Sequence, residues 1–328
     1  MSGGVDSSVA AALLKKQGYD VEGVFMRFWS EPGKEGKNLC CSYDSQLHAQ
    51  AVAQKLDIKL KILDLSKEFK KQIVDYFVSE YKKGRTPNPC VKCNQFIKFN
   101  LPGLLATGHY AIIKNNKLYR AKDKKKDQSY FLYNLTQKQL KNIIFPVGEY
   151  AKEEVKAMAE KWQLPCRKDE SFDICFIAGQ DHNEFLKRHL KLKPGPIKFS
   201  PCGGSAEGRK NKIIGQHQGL PLYTIGQRAG LGSGLYYVKK SDIKNNILYV
   251  TDQDQELYSN KLEVEKIHWI GKSAKKCLGQ IRYGYPAAPV LIKKNKIFFE
   301  EPQRAITPGQ SVVLCSRDEE LLGGGIIE

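Results

Sequence analysis

Residues 2–8, Ser2-Gly3-Gly4-Val5-Asp6-Ser7-Ser8, run straight into a helical pattern, Val9 to Gln17 (VAAALLKKQ), that stops at Gly18. Two adjacent glycines let a backbone turn tightly and approach a ligand closely. Successive N–H groups in such a turn form an anion nest, and the helix behind it aims its N-terminus at the same point. Ser2, Ser7 and Ser8 add hydroxyl donors. The pattern predicts a phosphate site; the plainer alternative is a Gly-Ser turn capping a helix. It is not a Walker A loop, because no Lys follows the glycines. A nest built for outgoing pyrophosphate suits adenylation better than γ-phosphoryl transfer.

Outward from this loop the texture is α/β. Val21 to Phe28 reads as a strand, Leu47 to Leu56 as a helix, Ile58 to Leu63 as a strand, and Phe69 to Tyr81 as a third helix. Such alternation argues for a parallel sheet flanked by helices. A strand is expected ahead of the glycine loop, yet the chain starts at the loop, so a misassigned start or lost pieces are expected. Between Phe99 and Thr107, NLPGLLA is too short for a crossover helix and a strand. Ala111 to Arg120 reads as a hairpin around Asn115-Asn116, and Glu153 to Trp162 as a helix ending near Pro165.

Past residue 178 the alternation fades. His182 to Leu190 is a short helix, and Pro194-Gly195-Pro196 breaks the chain. From about residue 247 strands dominate, with Val290 to Lys293, a turn at Lys294-Asn295, then Ile297 to Glu300. The expected organisation is an N-terminal parallel-sheet domain over 1–178, a small central domain over 179–246, and a C-terminal β-barrel over 247–328.

The chain has 328 residues, 41% hydrophobic and 27% charged, enough for a sizeable core. No run approaches the length of a membrane span and no signal peptide opens the chain, so a cytoplasmic location without a membrane partner is expected. Lys and Arg number 53 against 35 Asp and Glu, a net charge of +18. That excess fits a basic housekeeping enzyme, and it also fits a polyanionic partner, nucleic acid before membrane. Nine cysteines, at 40, 41, 90, 93, 166, 175, 202, 277 and 315, make a disulfide framework improbable and favour thiol chemistry or metal binding.

Thr86-Pro87-Asn88-Pro89-Cys90-Val91-Lys92-Cys93-Asn94 holds two thiols in C-x-x-C spacing inside a loop that two prolines should make rigid. Lys92 beside them favours thiolate. Structural zinc needs four ligands and no second C-x-x-C or H-x-x-x-H is present. Cys175 sits in an apolar run (ICFI), where lone thiols are usually inert core. Lys126-Asp127-Gln128 precede Ser129-Tyr130-Phe131-Leu132 and suit a phosphate and a base edge, or a strand entry. Arg282-Tyr283 and Gly226-Gln227-Arg228 suit RNA by charge and stacking, or are ordinary surface. Gly271-Lys272-Ser273 and the glycines from 230 to 234 imitate nucleotide loops but lack the required glycine spacing.

Taken in order, these blocks resemble one family. SGGVDSS resembles the PP-loop of ATP pyrophosphatases, whose domain is adenine nucleotide alpha-hydrolase-like. TPNPCVKCNQFIKF, ATGHYA (106–111), KDQSYFL, FPVGEYAKEEVKAMA, ICFI, YTIGQRAGLG and the closing GGGIIE resemble the bacterial tRNA-specific 2-thiouridylases along nearly the whole chain. The resemblance implies ATP with Mg2+ adenylating the C2 oxygen of wobble uridine, followed by sulfur delivery from a persulfide. It implies Cys93 as nucleophile and Cys175 as the persulfide thiol. Met1, Ser2, Gly3, Gly4, Val5, Asp6, Ser7, Met26 and Gly108 would line the ATP site. Asn88, Pro89, Cys90, Lys126, Asp127, Gln128, Arg282 and Tyr283 would meet the target base or tRNA. Partners implied are tRNAs of the Lys, Glu and Gln type and a sulfur-carrier protein or cysteine desulfurase relay. Position 90 is Cys where some members carry Asp. That third thiol opens an alternative, a [4Fe-4S] cluster on Cys90, Cys93 and Cys175 with one open iron site. Two other readings remain at this point: a different PP-loop adenylating enzyme, and a non-catalytic tRNA-binding remnant.

Overall fold

The computed structural model describes residues 1–33, 42–167, 174–177, 181–200, 212–231 and 234–328. Helix α1 spans Val5–Lys16 and begins four residues before the apolar periodicity does. Gly4 is its N-cap, Asp6 lies in the first turn and Lys15 and Lys16 in the last, so both ends carry the charge that the helix dipole favours. It ends at Gln17, and Gly18 takes a left-handed φ of 87°.

Strand β1 (Gly23–Arg27) and strand β2 (Leu60–Asp64) pair in parallel, with α2 (Tyr43–Lys55) as their crossover. Ser42 caps α2 by accepting from the Ser45 N–H. The next helical stretch runs Ser66–Phe69, Lys70–Val74 and Asp75–Lys82, with a π-type middle that a periodicity reading does not foresee. The short region after Phe99 still contributes a strand, Leu105–Ala106, paired in parallel with Ile143–Ile144. Asn115 and Asn116 both have positive φ, 52° and 59°, and close the expected hairpin of Ala111–Lys114 and Lys117–Arg120.

Two expectations need correction in the middle of the chain. The Pro194–Pro196 stretch is not merely a break, because a strand, Gly195–Phe199, starts there. Ile247–Thr251 pairs in the central four-stranded sheet, parallel to Gly195–Phe199 and antiparallel to Tyr237–Asp242. The strand-rich part of the molecule therefore starts well before residue 247.

The last sheet has seven strands in the order Tyr258–Glu263, Lys296–Arg304, Ala288–Lys293, Lys276–Gln280, Ser311–Cys315, Leu321–Ile326, His268–Trp269. A bridge between Val264 and Ile327 joins the first strand's continuation to the sixth and closes the barrel. Leu262, Val290, Ile292, Ile297, Phe299, Val312 and Leu314 fill its interior. One apolar cluster crosses from the N-terminal part into the barrel, joining Val91, Phe99, Tyr130, Leu132 and Tyr133 to Ile270, Val313 and Leu321. The Tyr130 hydroxyl donates to the Ser311 carbonyl at 2.8 Å, which docks the two parts together.

Candidate active site

The glycine loop is a built structure. Gly3 has φ 75°, and a Cβ there would lie 2.4 Å from the Ser45 carbonyl oxygen, so only glycine fits. Around Gly4 the space is open, the nearest atom to such a Cβ being Ser2 Oγ at 3.7 Å. The Ser7 and Ser8 hydroxyls donate back to the Gly4 carbonyl, at 3.1 and 2.8 Å. The Ser2 N–H donates to Ser7 Oγ at 3.2 Å. Arg167 N–H donates to the Gly3 carbonyl at 2.8 Å, pinning the loop from the far side of the chain. The terminal nitrogen of Met1 donates to the Val24 carbonyl of β1. Gly108 closes the other side: its Cβ position is 2.6–2.8 Å from backbone atoms of Asp6 and Ser7. The expected loop residues 1–7 and Gly108 thus lie together.

Sequence reading missed two partners of this loop. The ammonium of Lys152, a residue 5% exposed, donates to both carboxylate oxygens of Asp6, at 2.7 and 2.9 Å. The Tyr110 hydroxyl donates to the same carboxylate at 2.8 Å. Lys152 belongs to the quoted FPVGEYAKEEVKAMA block and Tyr110 to ATGHYA, so the blocks carried the signal but no local rule gave the pairing. His109, between Gly108 and Tyr110, bonds Thr107 Oγ1 through Nδ1 at 2.8 Å. Burial, then the Lys98 charge, lower its pKa to about 3 and keep the ring neutral.

The C-x-x-C segment is not the rigid loop expected. Asn88 accepts from the Cys90 N–H and caps a short helix, Pro89–Cys93, with Pro89 at its first turn. This helix lies between two apolar clusters. Val91 enters the one shared with the barrel. Cys93, 5% exposed, enters another with Phe28, Phe69, Phe77, Phe176 and Ile177. Cys175 and Met26 of β1 border that same cluster. Thus the two expected thiols and one expected ATP-site residue share one apolar surface. Lys92 differs from expectation: its ammonium stands over the rings of Tyr76 and Phe96, 4.7 and 5.6 Å from their centroids.

The iron–sulfur alternative gains no ligand set. Among the described residues no three His, Cys, Asp or Glu side chains converge to hold a metal, Cys90, Cys93 and Cys175 included. No disulfide joins cysteines among the described residues either, and Cys40, Cys41 and Cys202 lie outside them. The barrel thiols are held as thiols: burial first, then Cys315, raises Cys277 to about 12, and burial likewise raises Cys315.

The expected RNA contacts divide. Tyr283 packs on Phe131, ring centroids 4.6 Å apart, so the Arg282–Tyr283 loop of the barrel meets the 126–131 segment. Tyr283 keeps 42% exposure. Arg282 donates to Thr307 Oγ1 at 3.0 Å and lies over the Tyr285 ring. The carboxylate of Asp127 is engaged internally, accepting from Ala121 N–H, Ser129 N–H and Ser129 Oγ. Gln128 accepts from the Tyr110 N–H, which ties this segment to the residue bonded to Asp6. Ser129–Leu132 is a 3-10 turn and not a strand entry.

Comparison with known proteins follows the same order along the chain. A family model described as the tRNA methyl transferase HUP domain matches residues 1–179. One described as the tRNA methyl transferase PRC-barrel domain matches 183–252, and one described as the aminomethyltransferase beta-barrel domain matches 259–327. Among curated proteins, the tRNA-specific 2-thiouridylase MnmA of Carboxydothermus hydrogenoformans is 42% identical across 100% of this chain and 96% of its own length. MnmA 2 of Thermoanaerobacter sp. (strain X514) is 44% identical with the same coverage. The MnmA of Symbiobacterium thermophilum is 40% identical over 100% of this chain and 90% of its own. No helix among the described residues is long and apolar enough to cross a membrane.

Proposed function

The chain belongs to the family of tRNA-specific 2-thiouridylases, and from that membership we propose that it converts the wobble uridine of tRNA to 2-thiouridine. The C2 oxygen of uracil is a poor leaving group. Attack of that oxygen on the α-phosphorus of ATP expels pyrophosphate and leaves AMP as a good one. The loop Met1–Ser7 with Gly108 and Met26 holds the nucleotide, its N–H groups and the start of α1 facing the phosphates. Mg2+ would arrive bound to the triphosphate oxygens; Asp6, the carboxylate in the loop, is already held by Lys152 and Tyr110.

The uridine must leave its stack to be reached. Tyr283 offers a half-exposed ring, and Asn88, Pro89, Cys90, Arg282, Lys126 and Gln128 would meet the flipped base or the backbone beside it, while Asp127 holds its own segment in place. The terminal sulfur of a Cys175 persulfide attacks C2 and AMP leaves. The Cys93 thiolate then attacks Cys175 Sγ, freeing the thiocarbonyl and leaving a disulfide for an external thiol to reduce. A sulfur-carrier relay in the cytoplasm would reload Cys175, and tRNAs of the Lys, Glu and Gln type would be the acceptors.

The observation that supports this reading is that Cys93 and Cys175, distant in sequence, border one apolar cluster together with Met26. The test is nucleoside mass spectrometry after incubation with ATP, a persulfide donor and tRNA. Wild type should form 2-thiouridine, and Cys93→Ala and Cys175→Ala should form none. Normal product from either variant would point instead to another PP-loop chemistry.

A further inference from the structure

The outer face of the C-terminal barrel carries a lysine grid that the reaction leaves unused. Strand alternation builds it. Along Ala288–Lys293, Val290 and Ile292 are buried inward, so Leu291 and Lys293 face out. Along Lys296–Arg304, Ile297 and Phe299 are buried, so Lys296 and Phe298 face out. Register then sets Lys261, Phe298, Leu291 and Lys276 in one row, and Glu263, Lys296 and Lys293 in the next. Lys294 holds the turn with φ 56°, and the Lys275 carbonyl accepts from Ile292 N–H at the same end.

The grid is unbalanced in charge. Of its acids, Glu263 is shared by Lys261 and Lys296 at 3.1 and 3.4 Å, and Glu300, exposed two positions beyond Phe298, faces out at its edge. Lys275, Lys276, Lys293 and Lys294 are exposed, and among the described residues no carboxylate lies in ion-pair range of them. Lys293 and Lys296 stand directly opposite each other, a like-charge pair that costs a hairpin stability. Such a pair is tolerable where an anion covers it.

We infer that this face is a second grip on the tRNA, binding backbone phosphates away from the target nucleotide; this rests on the function proposed above. Lysine is a point charge that binds phosphate without reading a base. Half-exposed Phe298 and Leu291, set among the ammonium groups, give the sugars an apolar floor. The strand Lys276–Gln280 leads from the grid to the Arg282–Tyr283 loop, about 20 Å away at ~3.3 Å per residue. A polyanion spanning both ends must be longer than one nucleotide, which tRNA is.

The test compares wild type with the triple variant Lys276→Gln, Lys293→Gln, Lys294→Gln in tRNA binding across a salt series. The expected result is affinity at least about tenfold weaker at 0.1 M salt, with the log–log salt slope reduced by about 2–3. The melting temperature should stay equal or rise, since like-charge repulsion is relieved, and ATP affinity should not move. A control triple, Lys55→Gln, Lys59→Gln, Lys161→Gln, removes the same charge elsewhere and should leave tRNA affinity nearly intact. Wild-type affinity and slope in the grid variant, or an equal loss in the control, would overturn the inference. Wild type failing to bind tRNA at all would instead sink the proposed function, and this grip with it.

Discussion

Lys152 supplies to the glycine loop a cation that the loop's own sequence lacks. Asp6 sits in the first turn of α1, where an acid suits the dipole but opposes an incoming phosphate. Lys152 offsets that charge from a buried position, and Tyr110 shares the load. Lys152→Met should leave the Asp6 carboxylate without its cation and cost about 2–3 kcal/mol; the usual toll for breaking a buried pair is larger, but the Asp6 side chain is 33% exposed. Adding Asp6→Asn should recover most of that loss, measured by urea unfolding of all three variants. His109 predicts a pH effect. Its folded pKa is about 3 against an ordinary 6.5, so between these values the unfolded state binds the extra proton. Stability contributed by the neutral ring is therefore complete above pH 6.5 and falls as pH drops, by at most about 1.4 kcal/mol per unit. His109→Gln should flatten the stability curve between pH 6.5 and 5, above the range where carboxylates titrate. A parallel curve for the variant would show that the ring is not held neutral.

At the scale of elements, the glycines decide how close backbones come. Gly108→Ala would drive a methyl into the backbone of Asp6 and Ser7, with no flexible side chain to give way. The expected outcome is ATP affinity lowered tenfold or more, read by equilibrium binding of a non-hydrolysable analogue, while Gly271→Ala, where nothing lies within 4 Å, leaves it unchanged. Elements with local chemistry were the legible ones. Asn115-Asn116 tolerates the positive φ that a tight hairpin needs, and the alternation of Val290 to Lys293 against Ile297 to Glu300 predicted the barrel hairpin. The start of α1 precedes the apolar pattern because Val5 to Ser8 is mostly polar and carries no apolar period. The central strand at Gly195 was hidden by flanking prolines, which tertiary pairing overrides. Lys152 and Cys175 were harder still. A lone lysine in a helix start and a lone thiol in an apolar run look structural until the fold brings Asp6 to one and the Cys93 cluster to the other.

The largest consequence for the whole molecule lies in the cluster that crosses from the nucleotide-binding part into the barrel. Tyr130 and Tyr133 are fully buried there, and both hydroxyls bond Ser311, so neither part keeps its core if the other leaves. That arrangement also fixes Tyr283 against Phe131, and with it the distance from the barrel's Arg282–Tyr283 loop to the Cys93 helix. A joint core of this kind makes two covalently linked domains unfold as one unit. Trp162 caps the helix Lys152–Lys161 on the nucleotide side, and Trp269 lies in a barrel strand. Val313, 2% exposed, belongs to the shared cluster but sits on the barrel. Val313→Ala should remove about 1–2 kcal/mol through lost methyl groups and the space they leave. In variants keeping either tryptophan alone, the fluorescence midpoints in urea should coincide and should shift together on adding Val313→Ala. If the Trp162 midpoint stayed fixed while the Trp269 midpoint fell, the domains would be independent. The spacing between the Cys93 helix and the Arg282–Tyr283 loop would then need another brace.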